Sequence, residues 1–325
     1  MTLHFISQQW RKFWFEPTGT ASIGVYRILF GILVLQMVVV HLGGHFEEWY
    51  GSKSMLPLPT VINHFWLNEP RFDLFVLFPQ TEATFTILYA VLVVAACFLT
   101  LGLFSNYSAL LVWLFLISMH HQNPFNINGG DAFLRAVAPF LAFSYCGDRF
   151  SLDALIAKKT GRVLPALRSP WAQRLIQVQI ALVYWQTFCC KISGSQWLDG
   201  TAIYYSVRLD DMIRFPAPFI SDNMQVMKVL DYFTLIIEFL AWNAIFIKEL
   251  RYYVLVGLVF LHLGIDYLIN LPVFEWAFIF TLVTFIESSD LDAFFLWTRS
   301  KLFAKGALKL PTGGDEKGGL VVSVQ

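Results

Sequence analysis

Long apolar runs alternate with shorter polar segments over most of the chain. A transmembrane α-helix needs about 20 predominantly apolar residues to cross the hydrocarbon layer. We interpret eight runs as membrane spans, which form one polytopic domain over 21–288. Their approximate limits are 21–42, 82–104, 107–119, 132–146, 171–190, 227–247, 252–269 and 273–287. The pattern predicts an all-α integral membrane protein with about eight transmembrane helices.

The segments outside these runs differ in character. Residues 1–20 are amphipathic and carry Arg11 and Lys12, which predicts a helix lying on the membrane surface. An aromatic segment follows the fifth span. The other predicted segments are an aromatic loop at 43–81, a basic loop at 147–170, an amphipathic segment at 289–305 and a disordered tail at 306–325.

Composition supports a membrane protein and excludes other classes. Hydrophobic residues make up 57% of the chain and charged residues 14%, whereas soluble domains average about 45–50% and about 25%. The net charge is zero, so nucleic acid is not an expected partner. The four cysteines do not form a disulfide pattern; the Cys189-Cys190 pair is read as small apolar side chains, with a redox role as the alternative.

The distribution of positive charge predicts the orientation. With the N-terminus inside and eight spans, the inner segments hold 14 lysines and arginines and the outer loops hold 4. Cytoplasmic segments of membrane proteins carry such an excess. We therefore expect a multi-pass protein of the bacterial plasma membrane with both termini in the cytoplasm.

The stretch 184–205, YWQTFCCKISGSQWLDGTAIYY, combines a lysine with many aromatic side chains. Lys191 stands where the fifth span reaches the outer boundary, and Trp197, Tyr204 and Tyr205 follow it. Loss of water disfavours the ammonium form, so such a lysine can act as a base near neutral pH. The alternative is a lysine that ends a span by reaching to the lipid headgroups.

Other ionisable side chains lie within the predicted spans, where each needs a partner or a function. Asp131 and Arg135 are four residues apart, which predicts a structural ion pair along one helix. His262 and Asp266 have the same spacing, so Asp266 is predicted to fix the tautomer of His262. Glu275 follows the break at Pro272.

The predicted orientation brings several of these groups to the outer leaflet. They are Lys191, His120, His121, Asp231, His262, Asp266 and Glu275. One outward-facing chemical site would explain this clustering. A metal site built from the histidines is the competing interpretation, but no HExxH or similar ligand spacing is present, and we expect no metal.

The residues of this stretch resemble a known family. The order Tyr184, Lys191, Trp197, Gly200 and Tyr205 is similar to that of the vitamin K-dependent gamma-glutamyl carboxylase, and more broadly of the horizontally transferred transmembrane (HTTM) family. The run NPFNINGGDAFLR at 123–135 and the sequence Phe260-Leu261-His262 are also similar to family elements. The resemblance covers roughly residues 10–290.

The resemblance implies a chemistry that the spacing alone does not show. In the carboxylase, the lysine that matches Lys191 deprotonates vitamin K hydroquinone, and oxygen converts the quinol to an epoxide. The base released removes a proton from a glutamate, which then takes up carbon dioxide. By resemblance, the cofactor is vitamin K hydroquinone or a related lipid quinol, with O2 and CO2 as co-substrates.

The expected site follows from both lines of reasoning. Lys191 is the expected base, assisted by His262 or by His120 and His121. The expected substrate-binding residues are Tyr184, Trp197, Gly200, Tyr204, Tyr205, Asp266 and Glu275. The large lumenal domain that holds the protein substrate of the family enzyme is expected to be absent. The identity of the protein or peptide acceptor therefore stays open. The alternative is a non-catalytic protein that binds quinone or lipid and serves a partner enzyme.

Overall fold

The computed structural model describes residues 2–65 and 71–307, and the described chain is helical throughout. No strand occurs in these residues beyond isolated bridges between Thr18 and Arg168 and between Ile213 and Ile269. The all-α prediction is confirmed. Most of the tail predicted to be disordered, from residue 308 onward, lies outside the described residues.

Sixteen α-helices follow one another along the described chain. They are α1 Thr2–Phe15, α2 Ala21–Leu35, α3 Phe46–Tyr50, α4 Leu58–Phe65, α5 Glu82–Leu101, α6 Ser105–Gln122, α7 Gly129–Ala142, α8 Leu152–Lys159, α9 Trp171–Ile192, α10 Ser195–Leu198, α11 Ala202–Ser206, α12 Pro218–Ser221, α13 Met224–Asn243, α14 Lys248–Leu268, α15 Phe274–Leu282 and α16 Ser288–Ala307.

Within the described residues, five helical stretches are long and apolar enough to cross a membrane. They are Ala21–His41, Glu82–Leu101, Trp171–Ile192, Met224–Phe246 and Lys248–Leu268. The predicted count of eight is not confirmed, because the other three candidates are shorter or more polar. At 1.5 Å per residue, α7 is about 21 Å long and the apolar helix Phe274–Phe285 about 18 Å, less than a hydrocarbon layer of about 30 Å.

Helix ends coincide with local sequence signals. Asn128 caps α7 by accepting hydrogen bonds from the backbone of Gly130 and Asp131, and the Asp131 carboxylate accepts in return from the Asn128 N–H at 3.0 Å. This capping box satisfies backbone donors that would otherwise have no partner at a helix start. It places the N-terminal end of α7 beside the start of α15, because the Asn128 side chain also donates to the Pro272 carbonyl at 2.8 Å.

The helix α9 is in contact with α7, α13, α15 and α1. One cluster of buried hydrophobic residues extends from Ile23 to Phe285 and includes Ile176, Ile180 and Tyr184 of α9. Large apolar side chains are also exposed on the outer faces of the bundle. Such continuous exposed apolar surface is typical of helices that face lipid. These faces include Ile87 and Val94 of α5 and Val256 and Phe260 of α14.

The turn after α5 is built around a buried arginine. Arg27 of α2 is completely buried and donates to the Phe150 carbonyl at 2.5 Å and to the Ser105 hydroxyl at 3.4 Å. Gly102 ends α5 with a φ of 70°, and a Cβ there would lie 1.6 Å from the Arg27 guanidinium. The turn therefore requires glycine for both its backbone conformation and its close approach to Arg27.

We predict that Gly102→Ala destabilises the protein. The strained backbone alone costs about 1 kcal/mol or more, and displacing Arg27 adds to that. The melting temperature in detergent should fall measurably, since each kcal/mol corresponds to roughly 2–4 °C in domains of 150–250 residues and to less in a longer chain. Gly264→Ala is the matched control, because its Cβ would meet nothing within 4 Å. An equal effect of the two substitutions would contradict this account.

The aromatic loop before α5 contains a buried carboxyl. Asp73 is 7% exposed; its Oδ1 accepts from the Phe75 N–H at 2.8 Å, and its Oδ2 has no partner among the described residues. Burial raises the pKa of Asp73 to about 7, and the Phe75 hydrogen bond offsets part of this rise.

This carboxyl predicts a pH dependence of stability. An unfolded aspartate ionises near pH 4, so between about pH 4 and pH 7 folding takes up a proton. The contribution of Asp73 to the free energy of unfolding therefore becomes unfavourable as pH rises through this window, and it is constant above pH 7. The melting temperature should fall less between pH 5 and pH 8 in Asp73→Asn than in the wild type. Asp210→Asn, at an exposed position, should leave the wild-type slope unchanged. A parallel slope in Asp73→Asn and the wild type would contradict the prediction.

Candidate functional site

The C-terminal end of α9 carries a lysine that is paired across the bundle. The Lys191 ammonium forms an ion pair with Oε1 of Glu238 on α13. The Lys191 side chain is 21% exposed and that of Glu238 is 6% exposed. The Lys191 nitrogen also lies 4.9 Å from the centre of the Trp197 ring, within the range of a cation–π contact. Lys191 is thus held between a carboxylate and an aromatic ring.

A second buried pair lies between α14 and α15. Nδ1 of His262 contacts Oε2 of Glu275, and Nε2 of His262 lies 2.7 Å from the Tyr184 hydroxyl of α9. The His262 side chain is 4% exposed and that of Glu275 is completely buried. The Phe278 ring stacks on the imidazole at 5.1 Å with an interplanar angle of 13°. With Glu275 ionised, Nδ1–H donates to the carboxylate and Nε2 accepts from the Tyr184 O–H.

The two pairs belong to one cluster. Tyr184 and Lys191 are seven residues apart on α9, which places them on the same face two turns apart. Tyr184 lies within Coulombic range of both Glu238 and Glu275, and Glu275 lies within Coulombic range of Lys191. We call Tyr184, Lys191, Glu238, His262 and Glu275 the buried cluster.

The charges of the buried cluster are not balanced by its lysine alone. It holds two carboxyl groups and one ammonium, and unpaired charge is costly in a low-dielectric environment. Each carboxylate also has one oxygen without a partner among the described residues, Oε2 of Glu238 and Oε1 of Glu275. The cluster can therefore exchange a proton internally and can accept hydrogen bonds from a bound molecule.

The aromatic segment after α9 is fastened to α13. The Ile203 N–H donates to Asp231 at 3.1 Å, and the Tyr232 hydroxyl donates to the Leu198 carbonyl at 3.1 Å. Gly200, with a φ of 76°, allows the turn to lie against Lys228, whose Cγ would be 2.7 Å from a Cβ at this position. These contacts hold the short helix α10, and with it Trp197, over Lys191.

The two tyrosines of this segment lie elsewhere. The Tyr204 ring packs 3.6 Å from the guanidinium carbon of Arg208, and Tyr205 is 54% exposed. Neither forms a hydrogen bond with the buried cluster in the described structure. Of the three aromatic residues predicted to line the site here, Trp197 contacts Lys191.

Two predicted helical pairs are wrong. Asp266 forms an ion pair with Arg214 at 2.9 Å. The acid beside His262 is Glu275, where the sequence predicted Asp266. Asp131 turns back to the Asn128 N–H in the capping box, and no ion pair with Arg135 occurs among the described residues. In both cases a partner brought by the fold or by the helix end displaces the partner four residues along the helix.

The adjacent histidines of α6 are not brought into the buried cluster by any hydrogen bond of the described chain. His121 Nδ1 lies 2.6 Å from the Phe72 carbonyl, in the loop before α5. His120 is 3% exposed, and its Nδ1 has no partner among the described residues. Among those residues, no group of three or more histidine, cysteine or acidic side chains is arranged to hold a metal ion.

Glu238 is the residue that sequence reasoning did not place in the site. The sequence shows it seven residues after Asp231, on one face of α13. This spacing equals that between Tyr184 and Lys191, and α9 and α13 pack together. The matched spacing is the signal that could have indicated a pairing, but sequence alone does not give the relative register of two helices.

The comparison with known families decides the classification. The family model described as the HTTM domain matches residues 15–289. The chain belongs to the HTTM family. The HTTM domain is the membrane domain of vitamin K-dependent carboxylase-like proteins. No curated protein and no solved structure matches the chain. All five residues of the buried cluster lie within the matched HTTM region.

The structure predicts which acid controls His262 in this HTTM protein. In Glu275→Gln the carboxylate that fixes Nδ1–H is lost, so the nitrogen-15 resonances of His262 should shift away from a single Nδ1–H tautomer. The signal is assigned by its loss in His262→Gln. Asp266→Asn is the matched control and should leave the tautomer unchanged. A change of the His262 tautomer in Asp266→Asn, with no change in Glu275→Gln, would contradict this account and support the pairing of His262 with Asp266 that was expected from sequence.

Proposed function

We propose that this HTTM protein is a membrane-embedded enzyme that uses a lipid quinol, with Lys191 as the base that deprotonates it. One observation carries the proposal: Lys191 lies against Glu238 and beneath Trp197, at the C-terminal end of α9. A lysine that only reached for the lipid headgroups would not need a buried carboxylate partner.

The pair gives Lys191 a way to become a base. An ammonium cannot accept a proton, so Lys191 must first lose one. Transfer of that proton to Glu238 leaves a free amine and a carboxylic acid, and it removes two buried charges at once. The amine can then take the proton of a quinol hydroxyl. Trp197 shields the amine from water and favours the ammonium formed afterwards through the cation–π contact.

The second pair of the buried cluster supports the same chemistry. His262, held by Glu275 and Tyr184, has the arrangement in which a carboxylate fixes an imidazole for proton transfer. The free oxygen of Glu275 is an acceptor suited to a hydroxyl group of a quinol, and that of Glu238 is such an acceptor before Glu238 takes up the proton of Lys191. Charge-assisted hydrogen bonds of this kind are the strong ones, so they would orient the ring as well as bind it.

The quinol would supply the driving force for the reaction. Its oxidation by O2 to a quinone epoxide and water, coupled to loss of a proton from a glutamate-like acceptor, permits CO2 to add at that carbon. Vitamin K hydroquinone or a related lipid quinol fits this role, and a protein or peptide is the proposed acceptor. We place the protein in the bacterial plasma membrane with both termini in the cytoplasm and the buried cluster toward the outside.

The alternative function is a non-catalytic protein that binds a quinone or lipid and serves a partner enzyme. The free carboxylate oxygens favour this function equally, because they can hold a hydroxyl whether or not its proton is transferred. Turnover separates the two functions. A non-catalytic protein binds the quinol in the wild type and in Lys191→Ala without converting it in either.

We predict that Lys191→Ala lowers oxygen-dependent conversion of a reduced naphthoquinol by at least about 100-fold, the usual contribution of a general base. The assay uses purified protein in detergent, with epoxide and quinone measured against a protein-free background. Lys191→Arg should fail equally, because a guanidinium keeps its proton. Lys53→Ala, which removes an exposed lysine paired with Glu82, is the control and should retain wild-type conversion. Full conversion by Lys191→Arg would contradict the role of Lys191 as a base.

A further inference from the structure

A cavity of about 410 Å³ lies at the outer ends of α6 and α7, beside the segment that leads into α15. This volume is within the range of about 300–1,000 Å³ that is typical of small-molecule sites. Apolar side chains such as Met37 and Met119 form part of its wall. Its polar lining consists of His41, Tyr50, His120, Asn126, Asn128 and Asp131.

The wall of the cavity contains two backbone irregularities. The last turn of the first span, Gln36–His41, is a π-helix, a form that is rare and frequently found at functional sites. Val273, which also lines the cavity, has a φ of 68°, and this conformation is strained for a β-branched residue. Val273 lies two residues before Glu275, so the cavity adjoins the element that carries one acid of the buried cluster.

A buried histidine with an unsatisfied ring nitrogen lines the cavity. His120 is 97% buried and lines the cavity, and its Nδ1 has no hydrogen-bond partner among the described residues. In the tautomer with the proton on Nε2, Nδ1 is an acceptor. A buried acceptor without a partner raises the free energy of the unliganded protein. A ligand that donates a hydrogen bond to this nitrogen removes that cost, which strengthens binding.

The acidic lining group, Asp131, is also an acceptor. The Asp131 carboxylate can only accept when ionised, and Oδ2 is the oxygen held by the Asn128 N–H. The Tyr50 oxygen accepts from Asn126 at 3.3 Å, so the Tyr50 O–H hydrogen remains available as a donor. No lysine or arginine is among the described residues that line the cavity, and Arg135, one turn beyond Asp131 on α7, is not one of them. An anionic ligand would therefore lie beside Asp131 with no lysine or arginine in the described wall.

We propose that this cavity is a binding site for a small molecule that carries an O–H or N–H donor on an apolar body, and that it excludes carboxylates. Nδ1 of His120 and the carboxylate of Asp131 accept from the donor, and the methionine side chains hold the apolar part. The inference does not depend on the proposed function, because it concerns binding alone.

Three matched fluorinated probes test the proposal by fluorine NMR on purified protein in detergent. They are 4-fluorobenzyl alcohol, 4-fluorobenzylamine and 4-fluorobenzoate. The alcohol and the amine should bind saturably, and the benzoate should bind at least about tenfold more weakly, the equivalent of one charged hydrogen bond lost. Benzoate binding equal to that of the alcohol and the amine would overturn the proposal.

Variants locate the binding. Asp131→Asn keeps the size of the side chain and an oxygen for the Asn128 N–H, so this variant should fold. The substitution should narrow the difference in affinity between the amine and the benzoate. His120→Leu should lower the affinity for the alcohol by at least about tenfold. Glu82→Gln, which removes an exposed acid elsewhere, should bind all probes as the wild type does. Identical binding in Asp131→Asn, His120→Leu and the wild type would assign the signals to the detergent and overturn the proposal.

Discussion

Charge inside a low-dielectric bundle must be paired, and the pairing of Lys191 with Glu238 is the constraint on which the rest of the site depends. Removing one member of a buried pair typically costs about 3–5 kcal/mol, because the other member is left charged and alone. This penalty fixes the register of α9 against α13. With that register set, Tyr184 faces α14, where its hydroxyl meets His262, and the second pair is completed by Glu275 at the start of α15. Polar contacts thus hold four helices in mutual register, because water cannot replace these contacts inside the bundle. The four helices are α9, α13, α14 and α15.

The aromatic segment after α9 completes this arrangement. Its position is set from α13, by the bond between Ile203 and Asp231 and by the close approach of Gly200 to Lys228. The same helix therefore supplies the carboxylate partner of Lys191 and the anchor of Trp197, which covers it. Both contacts of Lys191 come from α13 and from the aromatic segment that is attached to α13. The lysine is therefore preorganised, and no loop has to become ordered when a substrate binds.

The sequence predicted the features that local patterns determine. Apolar periodicity gave the all-α fold, and the boundary of α9 near Lys191 follows from the arrival of polar residues. The features set by distance in three dimensions were not predictable in this way. His262 was assigned to Asp266 because they share a helix face, yet the break at Pro272 brings Glu275 closer to it. The span count of eight is not confirmed, because helices such as α7 are apolar but short.

The measurement that tests the account most directly is a double-mutant cycle on the central pair. The rate of oxygen-dependent naphthoquinol conversion is compared in the wild type, Lys191→Met, Glu238→Gln and the double variant. If the two side chains act as one proton-exchanging unit, each single variant loses most of the activity and the double variant loses little more. Losses that multiply in the double variant, or a Glu238→Gln variant as active as the wild type, would contradict it.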